Sequence, residues 1–190
     1  MSFGKSYDYD KKVVDEAVKY AASKDVLLIH AAGNDASNND TVGNYPNRNF
    51  IGGGTASNWI EVGALSWKGG DESVANFSNY GKKTVDVFAP GVDIYSTVPF
   101  SKYKSNSGTS MASPVVAGIA AVIRSYYPKL TAEQVKTVIV NSTVKFTDLQ
   151  VNAPGSEDKK QVKFGDLSVT GGVVNLYDAI KLADAMSKKK

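Results

Sequence analysis

No charged side chain interrupts residues 111–123, MASPVVAGIAAVI, and this run limits the fold more than any other in the chain. A helix written without a polar face has to be enclosed, so the expectation is a helix buried on all sides within a layered domain. Just ahead of it, residues 106–114 read Asn-Ser-Gly-Thr-Ser-Met-Ala-Ser-Pro, a loop of small residues that delivers Ser110 to the helix start. Free backbone N–H groups at a helix N-terminus can hold an oxyanion, and a serine hydroxyl becomes an effective nucleophile when a neighbouring base takes its proton. Gly108 lets the chain turn tightly before Ser110, and Pro114 sits so near the helix start that its missing N–H removes at most one intrahelical bond. Ser110 is therefore a candidate nucleophile.

The rest of the chain alternates strand and helix. Over 10–23, Val13, Val14, Ala17, Val18 and Ala21 form one helical stripe, with lysines and acids opposite. Residues 26–32, VLLIHAA, are a short and nearly continuous apolar run ending at Gly33, the pattern of a parallel strand buried on both faces. Strands are also expected over 60–65 and 85–89. Thr131 with Gln134 three residues on makes a capping box for a helix through about Asn141, and 175–186 reads as a C-terminal helix. Residues 34–58, rich in Asn and Gly, and 147–172, polar with Pro154, read as loops. The alternation predicts an α/β fold, a three-layer parallel sheet with helices on both faces.

Composition excludes several functions. With 190 residues the chain suits a single core, and the lack of cysteine rules out disulfides and thiol chemistry. The formal net charge of +3 comes partly from Lys188, Lys189 and Lys190 and is otherwise scattered, the mark of a solvated surface and not of a nucleic-acid partner. No apolar stretch reaches the ~18 residues that a membrane span needs.

The run GTSMASP over 108–114, with VVAGIAAVI after it, resembles the nucleophile segment of the subtilisin-like serine proteases, the subtilases. Further segments resemble family landmarks in the expected order: Ala31-Ala32-Gly33-Asn34, Thr41-Val42-Gly43 with Tyr45-Pro46, Val62-Gly63-Ala64, 77–81 (FSNYG) and 85–91 (VDVFAPG). The resemblance implies a serine endopeptidase acting on peptide or protein substrates through an acyl-enzyme on Ser110, with Asn34 in the oxyanion hole. It implies that Ser2, Phe3 and Gly4 pair with the substrate backbone, that Ala31, Ala32 and Gly33 wall a side-chain pocket, and that Gly43 lies at its base. Asn44 is an extra residue before Tyr45-Pro46 and alters the pocket shape.

The resemblance also exposes what is absent. The family brings its catalytic Asp and His, in that order, from sequence before the serine segment. The single histidine, His30, lacks the Gly-Thr that follows the catalytic one, and Val115 stands where the family commonly has a non-catalytic histidine. The chain is accordingly expected to be the C-terminal portion of a catalytic domain over 1–190, incomplete and inactive alone, with the missing N-terminal half as its partner and self-association through 26–32 as the alternative. The full-length protein is expected to be secreted or periplasmic. No cofactor is required, and structural calcium has only the lone Asp86 to suggest it, which reads better as a hydrogen-bond acceptor. His30 reads as a core histidine with both ring nitrogens bonded, and Met111 as a packing residue. The competing reading is a non-catalytic relic or interaction module that keeps the fold.

Overall fold

A computed structural model describes residues 1–7 and 9–188, so that Lys189 and Lys190 of the terminal lysine run lie outside the described residues. Helix α1 (Lys11–Ser23) leads to strands β1 (Leu28–Ala31), β2 (Trp59–Leu65) and β3 (Val87–Pro90) and to a hairpin of β4 (Ile94–Val98) and β5 (Lys102–Asn106). Helices α2 (Thr109–Tyr126) and α3 (Ala132–Asn141), strand β6 (Val144–Lys145), a second hairpin of β7 (Gln150–Asn152) and β8 (Gln161–Lys163), strand β9 (Gly172–Val173) and helix α4 (Leu176–Ser187) follow. Five strands form one sheet in the order β1-β2-β3-β9-β6, parallel throughout except for the antiparallel pairing of β6 with β9.

Strand alternation divides the sheet into two faces. Ile29, Ile60, Val62, Ala64, Val87 and Ala89 pack against α2, α3 and α4 in the larger core. The other face carries Leu28 and Trp59 against Val14 and Val18 of α1, and Phe88 against Phe164 beyond β8. Helices thus cover both faces, as the α/β reading expects.

The element limits differ in instructive ways. Helix α1 buries Asp15 where the stripe would have placed Val13, which is exposed. Lys11 and the backbone N–H of Ile51 both donate to the Asp15 carboxylate, so its charge is compensated locally. Strand β1 keeps only four of the residues 26–32 and stands at the sheet edge. The capping box at Thr131 is formed in both directions with Gln134.

Helix α2 is not enclosed on all sides. Ala112, Val116, Ile119, Ala120 and Ile123 are buried against the sheet, but Pro114, Ala117, Gly118, Ala121 and Val122 are exposed. Ala117 and Ala121 border an open groove beside β1, and no described element lies over this face. Both hairpins lie outside the expected strands, because their own strands are short and polar; Tyr95 and Tyr103 stack across β4 and β5 in solvent, 5.6 Å apart.

Candidate active site

The parallel strands β1, β2 and β3 end on the same side of the sheet, and the loops that leave them meet the start of α2. After β1 the chain turns at Gly33, whose φ of 109° favours glycine and where a Cβ would stand 2.4 Å from Asn79 Nδ2. That turn delivers Asn34 to the N-terminus of α2. Its Oδ1 accepts from both the backbone N–H and the hydroxyl of Thr109, each at 2.9 Å, while the same hydroxyl accepts from Gly33 N–H at 3.1 Å. With Oδ1 so engaged, the amide is oriented and Nδ2 is its free donor end.

Gly108 precedes α2 with φ 154° and ψ 159°, a conformation that side chains rarely adopt. A Cβ there would lie 3.5 Å from Asn34 Nδ2 and 3.6 Å from Ser110 N. Two donors therefore flank one space, which the missing side chain keeps open. Ser110 N–H belongs to the first turn of α2, where amides have no intrahelical acceptor. An oxygen that develops negative charge in that space would meet both donors and the positive end of the helix dipole.

Ser110 Oγ donates to Ser2 O at 3.2 Å, and Ser2 Oγ donates to Ser110 O at 3.0 Å. A cavity of about 440 Å³ opens beside this pair, lined by Phe3, Gly4, Ala31, Gly33, Asn34, Gly43, Thr109 and Ser110 among others. Most of the residues expected at the site thus meet in one place. Two of them stand elsewhere: Ser2 lies beside Ser110 without lining the cavity, and Ala32 is fully buried, packed in the core that holds Val74, Val85 and Phe88.

Three asparagines shape the site beyond what the sequence assigns: Asn39 falls in the 34–58 loop, Asn44 stands out only as an extra residue before Tyr45-Pro46, and Asn79 only as part of the 77–81 segment. Asn44 stands between the walls, with its Oδ1 2.8 Å from the Cβ position of Gly4 and its Nδ2 3.3 Å from that of Gly33. Its Nδ2 donates to Ala32 O, as does Asn39 Nδ2. Asn79 Oδ1 accepts from the N–H groups of Asp35 and Ser37, so the loop after Asn34 is fastened to the buried side chain of a distant segment. The asparagine richness of 34–58 was the signal, since such side chains satisfy backbone groups where no ladder exists.

Neither other candidate joins the site. His30 is fully buried with Nδ1 2.8 Å from Glu61 Oε1 and Nε2 2.7 Å from Phe3 O. The Asp86 carboxylate is engaged by both guanidinium nitrogens of Arg48 and by Glu61 N–H. It acts as a structural acceptor.

Residues 1–166 match the family model described as the subtilase family, peptidase S8. The chain belongs to the subtilases. It is 38% identical over 135 residues to subtilisin DY of Bacillus licheniformis, covering 70% of this chain and 45% of that protein. It is 34% identical over 179 residues to the serine protease AprX of Bacillus subtilis, covering 80% of this chain and 39% of the relative. A solved protease of Pseudoalteromonas arctica superposes with a TM-score of 0.71 at 26% identity, over 96% of this chain and 50% of that one. The chain therefore spans about half the length, or less, of the subtilases that it matches.

Proposed function

We propose that the protein carrying this chain is a serine endopeptidase. Ser110 Oγ attacks the carbonyl carbon of a peptide bond, the amine leaves once protonated, and water hydrolyses the resulting acyl-enzyme. The observation that carries this reading is the shared space beside Gly108, flanked by Asn34 Nδ2 and Ser110 N. The segment from Ser2 to Gly4, along one side of the cavity, suits an extended peptide that adds to it through main-chain hydrogen bonds.

The proton of Ser110 needs a base other than His30, whose ring nitrogens are both engaged. The subtilase pattern implies a histidine base and an aspartate that orients it, whose segments this chain does not contain, so on this reading the 190-residue chain alone is inactive. What its oxyanion donors and binding groups would retain is roughly 10³–10⁴ over water, too slow for a routine assay. The hydrogen bond from Ser110 Oγ to a carbonyl favours a second reading, a relic that keeps the fold without the chemistry. Labelling of the full-length protein by a fluorophosphonate, lost in Ser110→Ala, is expected for the enzyme; an unreactive Ser110 supports the relic.

A further inference from the structure

Residues 1 to 5 lie against the protein in an alternating way. Met1 N donates to Ile29 O at 2.7 Å and Met1 O accepts from Ala31 N at 3.1 Å, one rung of a parallel ladder centred on His30. Lys5 exchanges both backbone bonds with Tyr45 at 2.9 Å. Between them the next rung of the ladder would join Gly33 N–H to Phe3 O. That N–H instead donates to Thr109 Oγ1, because the chain has already turned at Gly33 to bring Asn34 to α2. The orphaned Phe3 carbonyl is taken up by the His30 side chain, through Nε2 at 2.7 Å.

The hydrogen-bond partners define what that ring does. A carbonyl oxygen can only accept, so Nε2 carries a proton. Nδ1 faces Glu61 Oε1 at 2.8 Å, and the second oxygen of Glu61 accepts from Trp59 Nε1 at 2.7 Å. A single proton between Nδ1 and Oε1 satisfies both atoms, and the pair is electrically neutral whichever of them holds it. Glu61 and Trp59 sit on β2, one strand deeper in the sheet, so the ring is backed by rigid structure.

We propose that His30 is a positioning residue for peptide binding, its side chain replacing the rung that Gly33 does not supply. With the carbonyl of Phe3 drawn toward β1, those of its extended neighbours Ser2 and Gly4 are turned the other way. Ser2 O is the atom that Ser110 Oγ touches, and Gly4 lines the cavity. Residues 1, 3 and 5 are thus engaged by the protein, and residues 2 and 4 present their backbone groups to an extended peptide. This rests on the endopeptidase reading above.

The test uses the full-length protein with the paired change His30→Leu and Glu61→Gln, which leaves no carboxylate buried without its donor and keeps an acceptor for Trp59. Hydrolysis of a long peptide is compared with that of a single-amino-acid ester, which sits beside Ser2 at Ser110 but does not extend along the segment to Gly4. The ratio of kcat/KM for peptide to that for ester is expected to fall about tenfold, through KM of the peptide, the cost of one well-formed hydrogen bond. A ratio unchanged from wild type, because both substrates suffer equally or neither does, overturns the proposal. Should the variant not fold, nitrogen-15 NMR of the wild type decides: a one-bond N–H coupling at His30 Nε2 is expected, and a Nε2 without a bound proton overturns it. A wild-type protein unreactive toward fluorophosphonate removes the endopeptidase reading itself, a result seen before any variant is made.

Discussion

Thr109 carries more of the site than its place between a glycine and the candidate nucleophile suggests. Its hydroxyl links Gly33 to Asn34, and its backbone N–H holds the same amide oxygen, so the free end of Asn34 is oriented by two bonds. Thr109→Val keeps the backbone donor and loses the hydroxyl; under the proposed endopeptidase function, kcat of the full-length protein is expected to fall about tenfold with KM little changed, since orientation of an oxyanion donor acts mainly in the transition state. Asn34→Ala removes the donor itself and, on the same proposal, is expected to cost about 10²–10³ in kcat, the magnitude known for removing an oxyanion-hole asparagine in a subtilisin. Steady-state kinetics separate these outcomes from an effect on KM, which would mean that Asn34 holds substrate. Asn44 acts on selectivity. Because its carboxamide stands between Gly4 and Gly33, Asn44→Ala is expected to lower KM for peptides with a bulky side chain in the cavity and to leave small ones nearly unchanged. A panel of peptides varied at the residue before the scissile bond measures this.

At the level of elements, short local signals and longer-range fasteners share the work. The reciprocal bonds between Thr131 and Gln134 start α3, and Thr131→Ala is expected to cost about 1 kcal/mol, read as a lower urea midpoint. Asp25, in the turn between α1 and β1, reaches much further: its carboxylate accepts from Ala132 N at the start of α3 and from Arg124 in the last turn of α2. The bond from Ala132 N–H, then that from Arg124, holds its carboxyl below the usual range. Burial raises the Asp15 carboxyl, yet the Lys11 ammonium and the Ile51 N–H outweigh it and leave it lowered too. Both groups have folded values below their unfolded ones, so their contribution is complete above about pH 4 and is lost as pH falls through the lower folded values. Melting temperature measured against pH should therefore drop on the acid side, and Asp25→Asn should flatten part of that limb.

Across the whole molecule, β1 stands at the sheet edge and, among the described residues, Met1 alone is hydrogen-bonded to its backbone along the outer side. Beside it, α2 exposes Pro114, Ala117, Gly118, Ala121 and Val122, and a groove lined by Val26, Leu27, Ile29, Ala117 and Ala121 runs between helix and strand. The strand over 28–31 carries no lysine, proline or formal charge to discourage pairing, and the two charged residues that line the groove, Asp25 and Arg124, are paired with each other. The isolated 190-residue chain is expected to associate or aggregate at micromolar concentration. Light scattering that shows a stable monomer, with the amides of 26–32 protected from exchange, would contradict this.

The sequence by itself determined the α/β class, the order of the principal helices and strands, the capping box of α3 and the small-residue turn that delivers Ser110 to the start of α2. Those features are carried by local patterns: apolar periodicity, a capping pair, and a motif whose small residues are needed where the backbone turns. Only the tertiary structure decided that Ser110, Asn34 and Gly4 meet, that Asn34 is oriented by Thr109, that Asn44 stands between Gly4 and Gly33, and that His30 holds the carbonyl of Phe3. It also decided that Ala32 is packed away from the cavity and that one face of α2 is bare. The reason is physical: each of these depends on a contact between segments distant in the chain, and neither periodicity nor spacing records which donor a freed carbonyl will find.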